Sequence, residues 1–213
     1  RQKIEALFGP KESKCEEIQL EQFVAQKVQA LRPRFAHRKC RVETRISPVP
    51  AIWIPLDVLD KIVEGLVRNA IENTPDDGRI LVTVRHGEIG PEFEVKDKGV
   101  GISEENQRLI FENYFTTYDT MQYSTRKPYD FMAGGRGFDL LRMKIFSEKY
   151  NFKLQMTSNQ CNVIAEEGYV CPGKIEDCEH SRTTEDCQES GGTTVIVQFY
   201  AADRVSKEES DEN

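Results

Sequence analysis

The sequence predicts an α/β two-layer sandwich, a mixed β-sheet packed on about three helices. Three observations carry that prediction. Apolar residues recur at helical spacing in three separated stretches, several short runs alternate apolar and polar residues, and helices and strands interleave without the regular β-α-β repetition of a parallel doubly wound sheet. The length of 213 residues and the 38% hydrophobic content suit one buried core and exclude two large domains.

The first helix is marked by Leu20, Phe23, Val24, Val28 and Leu31, closed by Pro33. Arg41 to Ile46 and Ala51 to Ile54 are short strands set apart by Pro48 and Pro50. Pro55 suits a helix start and Asp57 complements the N-terminal dipole, while Leu59, Ile62, Val63, Leu66, Val67 and Ala70 form one apolar stripe. Asn73 to Gly78 ends that helix. Ile80, Val82 and Val84, then Phe93 and Val95, alternate as two strands joined around Gly87 to Pro91. Regular structure thins from Ile102 to Gly134, apart from a short helix from Glu104 to Phe111. So long an aromatic-rich connection inside a compact domain points to a functional lid. Phe138 to Tyr150 is a further helix, and Phe152 to Met156 and Thr194 to Tyr200 supply the last strands.

The charge is unevenly distributed. With 29 basic and 36 acidic residues the net charge is -7, which argues against a general nucleic-acid or anionic-membrane surface. No apolar run approaches the ~20 residues of a membrane span. Between Asn159 and Ser190 stand eight acidic residues against Lys174 and Arg182, and the end from Asp203 to Asn213 is acidic and without periodicity. The basic stretch from Lys27 to Arg45 is either a solvated face or a docking face. The chain starts at Arg1 with no secretory signature and reads as an excised cytoplasmic fragment: residues 1–19 an N-terminal segment from an upstream linker, 20–200 the domain, 201–213 a disordered tail.

Four features bear on chemistry. Asn69 and Asn73 lie four apart on one helical face, where amide oxygens suit a hard cation or meet phosphate. Asp97-Lys98-Gly99-Val100-Gly101 follows a strand; its carboxylate suits an exocyclic amine, and its glycines suit close approach to a flat ring. Gly135-Arg136-Gly137 opens a helix whose unpaired N–H groups suit an anion. Gly191-Gly192-Thr193-Thr194 enters the last strand. Each has a plain structural reading too, as capping asparagines or glycine turns; their order along the chain is what gives them weight.

That order resembles the ATP-binding catalytic domain of sensor histidine kinases, within the family shared with gyrase, Hsp90-type chaperones and MutL-type ATPases, and so implies a Bergerat-type ATP-binding fold. The resemblance covers roughly Leu20 to Ser158 and Gly191 to Tyr200. It implies an N box at Arg68 to Thr74, with Asn69 as Mg²⁺ ligand and Asn73 near phosphates or ribose. It further implies a first glycine box from Asp97 through Gly99, Gly101 and Ile102, with Asp97 reading the adenine amino group. The F box is Phe111 to Thr117, including Phe115, Thr116 and Thr117, and favours the kinase branch. A second glycine box holds Gly135, Arg136, Gly137 and Phe138, and Thr193 supports the adenine site. The lid is about 102–134.

The chain departs from the family pattern at Asp139, where a glycine is usual and a carboxylate would repel phosphate unless offset, with Arg136 as the candidate counter-charge. It departs again at Gly65, where Asn or Glu is usual, leaving Glu64 beside it as the acid that water activation would need. His37, His86 and His180 sit in no long helical hairpin, so the phosphoacceptor histidine is expected on a separate dimerisation domain. The implied partners are that domain, through which the full-length protein forms a homodimer, and a response regulator. Autophosphorylation then requires the missing domain. The resemblance implies ATP and Mg²⁺ as cofactors.

It does not account for the acidic insertion, about 159–190, which carries Cys161, Cys171, Cys178, His180 and Cys187. The four cysteines are candidate ligands for Zn²⁺ or an iron-sulfur cluster, but their spacings are not those of C-x-x-C knuckles. A redox role, a disulfide formed on isolation, and inert thiols stay open. So do a non-kinase ATPase of the same fold and a metal- or redox-sensing module with a decayed nucleotide site.

Overall fold

The computed structural model describes residues 14–107, 127–133, 138–164, 169–181 and 183–202, the side chain of Phe138 excepted. Its main sheet has five strands in the order β2-β4-β5-β7-β6: β2 (Arg41–Ile46), β4 (Arg79–His86), β5 (Pro91–Asp97), β7 (Gly192–Gln198) and β6 (Lys153–Asn159). β2 runs parallel to β4 and every other pair is antiparallel, so the sheet is mixed as expected. Helices α1 (Leu20–Leu31), α2 (Leu56–Asn73) and α3 (Phe138–Tyr150) form the second layer.

The register explains the core. Val82, Val95 and Val195 lie side by side across three strands, as do Val84, Phe93 and Val197, and all six are buried. These β-branched and aromatic rows meet Leu59, Ile62, Val63, Leu66 and Ala70 of α2, which the sequence stripe placed on one face. Residues on the opposite side of β4 and β5 include Glu92 and Glu94, both paired with Arg85. Ile80 pairs with Asp97 one step further along the same register. Asp97 therefore ends β5 on the helix-facing side, where alternation would otherwise place an apolar residue.

Pro55 stands extended at the N-cap of α2 with no side-chain cap, its carbonyl accepting the Val58 and Leu59 amides at 3.1 Å, and Lys61 pairs with Asp57 at 2.9 Å one turn on. α3 ends through Asn151 in the left-handed region, with the Phe152 amide donating to the Ser147 carbonyl at 3.3 Å. Buried Met143 and Phe146 fix α3 against α2.

Three parts of the fold differ from the sequence reading. Glu16–Ile18 (β1) pairs antiparallel with Ile52–Ile54 (β3), inside the stretch assigned to an N-terminal segment; one buried residue, Ile18, was too little pattern to show it. At the other end the folded unit runs past 200, since the Ala202 amide donates to the Ala51 carbonyl at 2.8 Å. Within the insertion, Thr184–Ser190 (α4) is a helix. Its capping box is Thr183 and Asp186, whose side chains each accept the other's amide at 3.1 and 3.0 Å. None of its residues is buried, so apolar periodicity gave no sign of it.

Candidate functional site

Asp97 is the centre of the candidate site. Its carboxylate is buried, and Oδ1 accepts the amides of Gly99 at 2.9 Å and Thr193 at 3.2 Å. Burial pushes the carboxyl up to about 7, only partly offset by those amides. The result is a desolvated acceptor poor in compensating donors, which matches an amine N–H. Thr193, 96 positions away in sequence, arrives because β7 pairs with β5. Its hydroxyl meets Ser158 Oγ at 2.8 Å, and Ser158 Oγ also accepts the Ile102 amide at 2.9 Å. A Cβ at Gly99 would strike the Asn73 carbonyl and one at Gly101 the Asn159 carbonyl, so both positions need glycine for the close approach of neighbouring backbone. Gly101 has φ +65° as well. Gly101→Ala is expected to cost about 2 kcal/mol or more, whereas Gly65→Ala, whose Cβ meets only the flexible end of Met143 at 2.9 Å, is expected to be neutral or stabilising by up to ~1 kcal/mol. Urea midpoints of the two variants check both.

The loop after Asp97 is joined to the end of α2 by the Val100 amide, which donates to the Asn73 carbonyl at 2.9 Å. Asn73 is exposed, and its side-chain nitrogen donates to the Asn69 carbonyl at 2.8 Å, so the amide nitrogen is committed to the helix. Asn69 lies one turn earlier and is half-buried. Asp139, expected to oppose an anion, is instead held by Arg68 of the same α2 face, with Arg142 at 3.8 Å. Among the described residues the offsetting charge is Arg68; Arg136, which the sequence suggested, lies outside them. Gly65 faces Asp139 and Met143, and a Cβ there would stand at an ordinary contact distance of 3.6 Å from Asp139. Glu64 is engaged elsewhere, accepting from Lys27 at 2.8 Å and Arg34 at 2.6 Å. Burial opposes its charge, yet these bonds outweigh it and hold the carboxyl below its ordinary value.

The sequence missed what fixes residues 127–133. Tyr129 is buried in the core beside Phe35, with φ 74°, and its amide donates to the Glu72 carboxylate at 3.0 Å. Burial raises the Glu72 carboxyl, countered by that amide and by Arg68. The Met132 amide donates to the Glu72 carbonyl at 2.7 Å. Arg38 closes the arrangement. Its guanidinium donates to the carbonyls of Ile71 at 3.1 Å, Tyr129 at 2.8 Å and Thr74 at 2.7 Å, and to Asp76 Oδ1 at 2.8 Å. In the sequence Arg38 was one of a basic run; nothing there marked it out.

Residues 56–203 match the model of the histidine kinase-, DNA gyrase B- and HSP90-like ATPases. The chain belongs to that family. It is 38% identical over 74 residues to an aerobic respiration control sensor protein ArcB homolog of Haemophilus influenzae, covering 34% of this chain and 22% of the relative. It is 29% identical over 106 residues to the sensor histidine kinase RppB of Synechocystis, covering 50% and 22%. The chain thus spans about a fifth of these relatives' length. Among solved structures, it matches the mycobacterial sensor histidine kinase MprB with a TM-score of 0.57 at 18% identity, over 87% of this chain and 97% of that one. The catalytic domain of histidine kinase ThkA matches at 0.58 and 16%, over 88% and 96%.

Of the residues the family resemblance singled out, Asn73, Asp97, Gly99, Gly101 and Thr193 come together around the end of β5, with Asn69 a turn away and Ile102 tied in through Ser158. Phe115, Thr116, Thr117, Gly135, Arg136, Gly137 and the side chain of Phe138 lie outside the described residues. The three histidines are exposed: His37 meets Asp130 at 2.7 Å, His86 meets the Gly87 carbonyl, and His180 stands edge-on to Tyr169. None of the six cysteines is in a disulfide, and no three of the described His, Cys, Asp or Glu residues are placed to hold a metal. The proposed Zn²⁺ or iron-sulfur set of Cys161, Cys171, Cys178 and Cys187 is therefore not assembled as a ligand shell.

Proposed function

We propose that this domain binds Mg-ATP and donates the γ-phosphate to a histidine on a separate dimerisation domain, from which a response regulator receives it. One observation carries the reading: a buried carboxylate, Asp97, closes a family ATP site with two main-chain amides on one oxygen. Asp97 accepts the adenine amino group, Asn69 gives an amide oxygen to Mg²⁺, and Asn73 sits beside phosphates or ribose. Bound Mg-ATP supplies an electrophilic phosphoryl group; the chain positions it and neutralises charge. Gly135, Arg136 and Gly137, which precede α3 in the sequence, serve the phosphates, while Phe115, Thr116 and Thr117 belong to a lid at about 102–134. The lid's far stem is the segment clasped by Arg38 and Glu72.

The ATPase alternative needs an acid near Asn69 to activate water. Glu64 is tied to Lys27 and Arg34, which favours the kinase. Among the described residues no helix is long and apolar enough to cross a membrane. The domain works in the cytoplasm, where ATP is, whether or not its parent is anchored, and the full-length protein dimerises through the separate phosphoacceptor domain.

Calorimetric titration of Mg-ATP into the reduced protein tests this. Binding in the micromolar to millimolar range is expected, with Asn69→Ala losing its dependence on Mg²⁺. Mixed with a cognate dimerisation domain, the protein should label a histidine there, and alone it should label none. A folded protein that binds no ATP would sink the reading.

A further inference from the structure

Asp97 is one of three polar residues that close the sheet in a single row. Val95, Val195 and Met156 lie side by side across β5, β7 and β6 on the helix-facing side. Alternation puts Asp97, Thr193 and Ser158 on that same side one step further along. Ser158 and Thr193 are register partners, and the Thr193 amide donates to Asp97 Oδ1 at 3.2 Å. Gly192 lets β7 come so close, since a Cβ there would strike the Asp97 carbonyl. The insertion that separates Ser158 from Thr193 is fastened to its surroundings. The Cys161 amide donates to the Val100 carbonyl at 2.8 Å and the Asp76 amide to the Gly173 carbonyl at 2.8 Å, while a Cβ at Gly173 would meet the Phe131 ring at 2.6 Å.

The Ser158 hydroxyl has more neighbours than one proton can serve. Its Oγ accepts the Ile102 amide at 2.9 Å and lies 2.8 Å from Thr193 Oγ1 and 3.1 Å from the Gly192 carbonyl. A serine hydroxyl has one proton and two lone pairs, and a carbonyl only accepts. Two arrangements follow. With the Ser158 proton on the Gly192 carbonyl, Thr193 donates to Ser158 and offers a ligand lone pairs alone, an acceptor beside the acceptor Asp97. With the Ser158 proton on Thr193 Oγ1, the nearer of the two oxygens, the Thr193 proton is left for a ligand. The edge of adenine sets an amino donor next to an acceptor, ring nitrogen N1, and this second arrangement complements it. Guanine shows the reverse order, a carbonyl next to an N–H.

We infer that Ser158 is a positioning residue for base recognition: by donating to Thr193 Oγ1 it makes the Thr193 hydroxyl a donor to N1 of the base whose amino group Asp97 accepts. The inference rests on the nucleotide reading above. Both hydroxyls only rotate, and no proton changes oxygen. The main chain around Ser158 is held independently of that rotation. Gln107 Nε2 donates to the Ser158 carbonyl at 2.8 Å and to the Ile102 carbonyl at 2.7 Å, and the Gln107 amide donates to the Ser103 carbonyl at 2.9 Å. A fixed backbone that carries a turning O–H suits a residue that orients its neighbour.

The test titrates Mg-ATP, and the analogue with carbon in place of N1, into the reduced, folded protein and its variants. The unmutated chain is expected to bind the analogue about 5-fold more weakly, the worth of one net hydrogen bond. Thr193→Val should lose that factor for ATP and bind the two ligands alike. Ser158→Ala should weaken ATP binding and narrow the preference, yet cost nothing further when added to Thr193→Val. Ser158→Thr keeps the hydroxyl on a residue suited to a strand and should retain the preference. A merely structural serine would instead weaken both ligands equally and add its cost to that of Thr193→Val; either result overturns the inference. Should Ser158→Ala fail to fold, Ser158→Cys, a weak donor of similar shape, takes its place with the same expectations. An unmutated chain that binds ATP and the analogue alike overturns the N1 contact while the ATP reading stands. If it binds neither, the nucleotide reading falls and this inference with it.

Discussion

Asp97→Asn is expected to abolish measurable nucleotide binding while making the empty domain more stable above pH 7. The carboxylate accepts the Gly99 and Thr193 amides on Oδ1, and an asparagine oxygen can take over that task. Its NH₂ group then stands where Oδ2 was, a donor facing the donor of an adenine amine. Losing one hydrogen bond and burying two opposed donors costs about 3 kcal/mol, on the order of 100-fold in affinity. The stability gain follows from the proton. Folding raises this carboxyl from 3.8 to about 7, so between those values the native state holds a proton that the unfolded state releases. The stabilisation from the neutral form is fully present below about pH 4 and is lost as pH rises through 7. Asparagine has no such slope, and urea midpoints across pH 4 to 8 should show the wild-type decline missing in the variant. Nucleotide affinity of the wild type should fall below pH 7, because Gly99 and Thr193 occupy Oδ1 and the proton takes Oδ2. A variant that both unfolds readily and fails to bind would instead make Asp97 a structural residue.

Arg38→Ala is the second large effect. The guanidinium is 5% exposed and serves three carbonyls and the Asp76 carboxylate. Removing it leaves Asp76 without its buried counter-charge and takes a donor from each of three carbonyls, an expected loss of about 3–5 kcal/mol. Arg38→Lys should recover little, since one ammonium cannot span the positions that the planar fork reaches. The loss should be local first. Hydrogen exchange at the Tyr129 and Met132 amides, which donate to Glu72, is expected to rise before that of β4 and β5. Unchanged exchange at those two amides would show that the segment is held by Tyr129 burial alone.

The mixed sheet, the three helices and the Asp97 loop were legible because each rests on a short-range pattern. The α2 stripe is a 3.6-residue repeat, β4 and β5 are two-residue repeats, and glycines mark the loop after Asp97. Three things were not legible. β1 has one buried residue and gains its partner only when β3 is beside it. The pairing of Asp139 with Arg68 joins residues 71 positions apart, while the sequence offered only the nearby Arg136. The glycines at 99 and 101 were read from turn chemistry alone, and the Asn73 and Asn159 carbonyls that approach them come from elsewhere in the chain.

By itself, then, the sequence determined the three helices and the strands of the main sheet, and it set an asparagine pair late in α2, a D-x-G-x-G loop and a final glycine-threonine strand in the order that the family resemblance rests on. Periodicity and turn chemistry act over a few residues, so a single chain displays them. Only the tertiary structure decided what neutralises Asp139, what occupies Glu64, and that Arg38 and Glu72 hold residues 127–133. It also decided that the cysteine insertion rests on the Asp97 loop, the end of α2 and Phe131. Those are contacts between groups tens of residues apart, and the physical reason they were hidden is that sheet register and helix packing, not sequence distance, choose which charges and carbonyls meet.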